Sequence, residues 1–173
     1  MAKPSQDRIV AALLERHGLT YAEELGIKLE RGTPSVLFRW LCASILLSAR
    51  IGAGAAMHAA RALAEQGWTT AGKMAAATWE QRTRTLNQAG YARYDESTSR
   101  MLGDTALMLL DKYRGDLRQL RVPPGAIPSA SGCSQGIKGI GEVGADIFCR
   151  EAQITWDELF PVADQRALEA ASR

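Results

Sequence analysis

The stretch Ile137-Lys138-Gly139-Ile140-Gly141-Glu142-Val143-Gly144-Ala145-Asp146-Ile147 decides how the chain is read. Its pattern is apolar-x-Gly-apolar-Gly-x-x-x-Ala-x-apolar. Two glycines separated by one residue allow a tight turn and let backbone N–H groups face outward. A helix is predicted over Glu142 to Glu151, so the positive end of its dipole falls at the same turn. Free N–H groups and that dipole together bind a phosphate without touching a base. Gly144 and Ala145 are small enough for a second helix to approach closely. Lys138 lies on the turn and would face the phosphate.

The surroundings decide between rival readings of this stretch. Upstream, Arg121 to Gly132 holds three prolines and two glycines and reads as a loop. It supplies no strand, and a dinucleotide fingerprint requires one directly before its glycines. An ordinary glycine-rich helix connection remains the plain alternative. The full eleven-residue pattern inside a helical chain favours a helix-hairpin-helix.

The rest of the chain is helical in character, with abundant Ala, Leu, Glu, Arg and Gln and few β-branched runs. Helices are predicted over Gln6 to Arg16, Tyr21 to Leu29, Val36 to Ala49 (opened by Thr33-Pro34-Ser35, with proline suited to a first turn), Ala55 to Gln66, Thr70 to Ala77, Trp79 to Gln88 and Glu96 to Tyr113. A last helix is predicted from about Asp164, still running at Arg173. In the first helix, Ile9, Val10, Leu13 and Leu14 share a face. Val36 to Ala49 is apolar almost all round apart from Arg39, as a central buried helix would be. The expected class is all-α.

Composition sets outer limits. At 173 residues and 46% hydrophobic, the chain can build a real core. No run of 18 apolar residues exists, so no membrane span is expected. The first residues lack an apolar signal region, and a cytoplasmic location is expected. Cys42, Cys133 and Cys149 are odd in number and widely spaced, which argues for reduced thiols rather than a disulfide framework or a local metal cluster. A net charge of +2 and a pI near 8.5 fall short of a strong nucleic-acid footprint.

With its hairpin placed, the chain resembles the endonuclease III superfamily of helix-hairpin-helix (HhH-GPD) DNA glycosylases. Three further stretches carry the resemblance. Leu46-Leu47-Ser48-Ala49-Arg50 is similar to the family's Leu-Leu-Ser-Ala-Gln turn. Asn87-Gln88-Ala89-Gly90-Tyr91 is similar to its wedge loop, and Phe160-Pro161-Val162-Ala163-Asp164 to its apolar-Val-Asp segment. The resemblance implies a two-lobed helical fold, with residues 32–173 as the core and residues 1–31 as part of a second lobe. It also implies further helices beyond Arg173, without which residues 1–31 lack partners.

The function so implied is excision of a base from damaged or mismatched double-stranded DNA by a nucleoid-associated monomer. The target nucleotide must be flipped out, because stacking hides its glycosidic bond. DNA contacts fall on Lys138, Gly139, Ile140, Gly141, Glu142, Val143 and Gly144. Tyr91 corresponds to the wedge residue and Arg50 to a gap-filling polar residue. Tyr91 reads equally as a partly buried aromatic. Arg82, Arg84 and Arg93 offer phosphate contacts, or are merely solvated. Asp164 corresponds to the family's essential aspartate, whose carboxylate would stabilise positive charge on the sugar or activate water. It suits a helix cap as well. The resemblance places a monovalent cation under the hairpin, on the backbone carbonyls of Gln135, Ile137 and Ile140.

Two family features are missing from the sequence. Val143 stands where members that also cut the backbone carry a lysine, and valine forms no Schiff base. The clustered cysteines of an iron–sulfur site are absent, so no such cluster is expected. A DNA-structure-binding module without catalysis is the alternative.

Overall fold

The structure is a computed structural model, and it describes residues 5–120, 137, 140–163 and 165–172. Among these residues the fold is all-helical, with no strand. The helices are α1 (Gln6–His17), α2 (Tyr21–Glu24), α3 (Pro34–Ser48), α4 (Ala53–Glu65), α5 (Ala71–Ala76), α6 (Trp79–Gln88), α7 (Asp95–Tyr113), α8 (Gly141–Ala152) and α9 (Gln165–Ala171). Short 3-10 turns lie at Leu29–Arg31, Leu117–Leu120 and Asp157–Leu159. None of the helices is long and apolar enough to cross a membrane.

Threonines set four of the helix starts. Thr33, Thr70 and Thr78 each accept a hydrogen bond from the N–H three residues on, and Pro34 occupies the first turn of α3. Thr20 and Glu23 form a reciprocal capping box at α2, as do Thr78 and Gln81 at α6. The helix predicted over Tyr21 to Leu29 stops early, at Glu24, and the chain re-forms as the turn Leu29–Arg31. Described helix in α9 ends at Ala171, short of the predicted run to Arg173.

The core is built around α3. Its Leu37, Phe38, Trp40, Leu41, Ala43, Ile45 and Leu46 are all buried, and α4, α7 and α8 pack against it. Trp40 Nε1 donates to the Phe148 carbonyl at 3.0 Å, tying α3 to α8. The Phe148 ring meets Trp156 edge to face at 5.6 Å. Helices α5 and α6 cover α7 on its other side.

Three expectations are corrected here. The segment after α1 is not without partners: Ala22, Leu25, Ile27 and Leu29 are buried in the same core as α3 and α8. The Glu151 carboxylate on α8 accepts from the N–H groups of Tyr21 at 3.1 Å and Ala22 at 2.9 Å. It holds the start of α2 across 130 residues of sequence. Arg82 is not a phosphate contact but a buried strut. Its Nε donates to Ser99 O at 3.0 Å, and its Nη1 to Met74 O at 3.1 Å and Ala77 O at 2.5 Å. These carbonyls include the end of α5, whose negative dipole end a cation complements. Third, the cysteines are not all thiols. Cys42 is free and buried, whereas Cys149 is disulfide-bonded to a partner outside the described residues.

Candidate nucleic-acid interface

The turn that opens α8 sits on two buried anchors. Ile137 and Ile140 are 1% and 2% exposed, and the Ile140 N–H donates to the Ile137 carbonyl at 3.3 Å. Apolar burial thus fixes the turn from beneath. Gly141 follows with φ +65°, in the left-handed region, where a side chain is strained even though the space beside it is open. Glu142 and Val143 then face solvent, Val143 being 58% exposed. Among the described residues no side chain caps this helix start, which leaves its first N–H groups open there to solvent or a ligand.

Gly144 decides how closely α8 meets α3. A methyl group there would lie 2.8 Å from Ile140 Cγ1 and 3.4 Å from Ser48 Cβ. The close approach expected of Gly144 and Ala145 is therefore made against the end of α3. Two residues beyond Ser48 stands Arg50, exposed. The fold so brings the exposed turn at Gly141 to Val143 and the end of α3 to one region. Glu142 lies in the first turn of α8, where its charge suits the helix dipole but opposes a phosphate.

Lys138, Gly139, Gln135 and Asp164 lie outside the described residues. Of the three carbonyls expected to hold a cation, that of Ile137 accepts the turn hydrogen bond and retains its second lone pair. Among the described residues no group of three or more His, Cys, Asp or Glu is placed to hold a metal. The chain leading to Asp164 is gripped at Val162. Gln153 Oε1 accepts from Val162 N–H at 2.9 Å, and Gln153 Nε2 donates to Val162 O at 3.2 Å. Gln153 is the C-cap of α8, so Val162 and the Gly141 turn stand at opposite ends of a helix about 18 Å long.

Tyr91 is a correction. Its side chain is 0% exposed, and its hydroxyl donates to the Leu46 carbonyl at 2.9 Å. A ring seated in the core with its one polar atom paired cannot enter a base stack without unpacking α3. Burial also raises the pKa of its hydroxyl. The tight turn that follows α6 at Gly90 drives Tyr91 inward: its N–H donates to Leu86 O at 2.9 Å. Arg84 and Arg93 remain exposed, Arg93 stacking over the Tyr94 ring at 5.4 Å.

Cys42 is the described free thiol, and burial pushes its pKa up to about 12, so it stays protonated and is no nucleophile. Glu151 and Gln153 escaped the sequence reading. Neither belongs to a local motif, and their partners are 129 residues and nine residues away. No family model, no characterised protein and no solved structure matches this chain.

Proposed function

We propose that this chain binds duplex DNA through the turn that opens α8, and that it is a base-excision protein of the N-glycosylase type. The observation that carries the reading is a helix start at Gly141 to Val143 with no side-chain cap among the described residues, exposed to solvent yet anchored beneath by buried Ile137 and Ile140. Such a rigid cluster of N–H groups suits a backbone phosphate. Lys138 and Arg50 would supply positive charge that offsets Glu142. Asp164 is the candidate carboxylate for stabilising the sugar cation as the glycosidic bond breaks. With Val143 in the lysine's place, the reaction stops at an abasic site.

One observation favours a second reading, a module that binds distorted DNA without excising a base. Burial of Tyr91 removes the residue expected to fill the gap beside a flipped nucleotide. Paired assays separate the two. Lys138→Ala should weaken binding to every duplex and flatten the salt dependence by about one unit. Asp164→Asn should lower excision on a panel of lesion-bearing duplexes by about a thousandfold while leaving affinity intact. Excision absent from the parent, with binding retained, favours the binding module. Binding unaffected by Lys138→Ala removes the interface itself.

A further inference from the structure

Two arginines from different helices converge on the end of α2. Arg39, on α3, donates from Nη2 to Leu25 O at 3.4 Å, and Arg61, on α4, donates from Nη2 to Glu24 O at 3.1 Å. Capping those carbonyls explains one nitrogen of each guanidinium, but a guanidinium presents five N–H donors in a rigid fork. Arg39 Nε is buried with no hydrogen-bond partner among the described residues. The same two arginines line a cavity of about 20 Å³ together with Cys42, Leu63 and Trp68. No acidic residue lines it among the described residues, and no ion pair is described for either arginine. Two cations thus face one small cavity whose other described walls are apolar or a thiol. Cys42 stays protonated there and adds no charge.

A buried donor without an acceptor is costly, so Arg39 Nε calls for an acceptor, either water or an anion. The cavity has room for about one water-sized atom, which one oxygen of a larger ion also fits. Planar guanidinium forks match oxyanions in geometry and charge. We propose that Arg39 and Arg61 form a binding site for a phosphate group, with one oxygen seated against Arg39 Nε and the others reaching Arg61 at the mouth. Arg39 precedes Ser48 by nine residues on α3, about 14 Å along the axis. The site therefore stands apart from the turn at Gly141 and does not depend on the DNA reading.

The test is a titration of inorganic phosphate into the full chain at fixed ionic strength, read by tryptophan emission, since Trp68 lines the cavity, and by urea melts. The parent should respond saturably, and phosphate at ten times its Kd should raise the folded-to-unfolded ratio about elevenfold. Arg39→Gln should abolish the saturable response. Arg39→Lys keeps the charge but loses the fork and should weaken binding about tenfold. Should Arg39→Gln fail to fold, Arg39→Lys and Arg61→Gln carry the comparison. A parent that does not saturate means that water alone meets Nε, and overturns the proposal. So does equal stabilisation of parent and variants, which is the general effect of an excluded salt. Phenyl phosphate distinguishes the source: binding as tight as that of free phosphate points to the terminal phosphate of a larger ligand, and exclusion of the ester points to the free ion. Either result keeps the site.

Discussion

Helices α1 and α8 are both 12 residues long and both amphipathic, yet they meet opposite fates. In α8, Ala145, Phe148, Cys149 and Ala152 are buried against the core. In α1 no residue is buried: Ile9, Val10, Leu13 and Leu14 are 45–65% exposed. The difference is not the lack of an apolar face, since α1 carries four large aliphatic residues on one side. It is shape. Gly144 and Ala145 let the backbone of α8 come down onto α3, and Trp40 of α3 then fastens the Phe148 carbonyl. An apolar stripe names the face a helix would bury. A complementary surface decides whether it does.

The comparison can be broken most strongly at Phe148. Its ring is 0% exposed, and Phe148→Ala should cost about 3–5 kcal/mol, from lost transfer energy and the cavity left behind. For a chain of this size that is a fall in Tm of roughly 6–20 °C, measured by calorimetry. A loss under about 1 kcal/mol would mean that α8 is not part of the cooperative core.

Gly144→Val tests the close approach directly. Its methyl groups would crowd Ile140 and Ser48, and the expected cost is about 1–3 kcal/mol. Because Ile140 anchors the turn, the DNA affinity proposed for this chain should fall as well. Ser48→Gly in the same chain removes one of the two crowded atoms and should recover part of the stability. No recovery would show that Ser48 is not what limits the contact.

Glu151→Gln probes the link between α8 and the start of α2. An amide offers one acceptor oxygen where the carboxylate offers two, and the loss should be about 1 kcal/mol. The pH dependence has a definite sign. Desolvation raises the Glu151 pKa above 4.5, against opposing hydrogen bonds from the backbones of Ala22 and Tyr21, the charge of Arg150 and a bond from Thr20. With the folded value above the unfolded one, its proton-linked contribution is full below pH 4.5 and is lost as pH rises through the raised value. The stability gap between parent and variant should therefore narrow as pH climbs from about 4 towards neutrality. Urea melts across that range would show it, and a widening gap would refute the assignment.

The smallest effect belongs to α1. Leu13→Ala removes an apolar side chain that is already 55% exposed, and stability should change by no more than about 0.5 kcal/mol. A drop above about 2 kcal/mol would mean that the α1 face is covered in solution.

Much of this molecule was legible in its local sequence. Pro34 announced the start of α3, the apolar surround of Val36 to Ala49 announced its burial, and the run Trp79 to Gln88 was bounded correctly at both ends. Gly141 and Gly144 could be read in advance as a turn and a close approach, because both properties follow from having no side chain. Capping, turn formation and helical period are matters of neighbours within four residues, so sequence alone determined them.

The tertiary structure decided everything that depends on distant partners. Tyr91 and Arg82 were polar-tipped residues on exposed-looking stretches, and each had two readings. Tyr91 went inside because Leu46, 45 residues away, offers its hydroxyl an acceptor. Arg82 went inside because three carbonyls from α5, α7 and the turn after α5 surround it. Arg39 and Arg61 came to share one cavity only because α3 and α4 pack side by side at the end of α2. The physical reason is the same in each case. A polar group is buried only where its hydrogen bonds can be met, and those partners belong to the fold rather than to the flanking sequence.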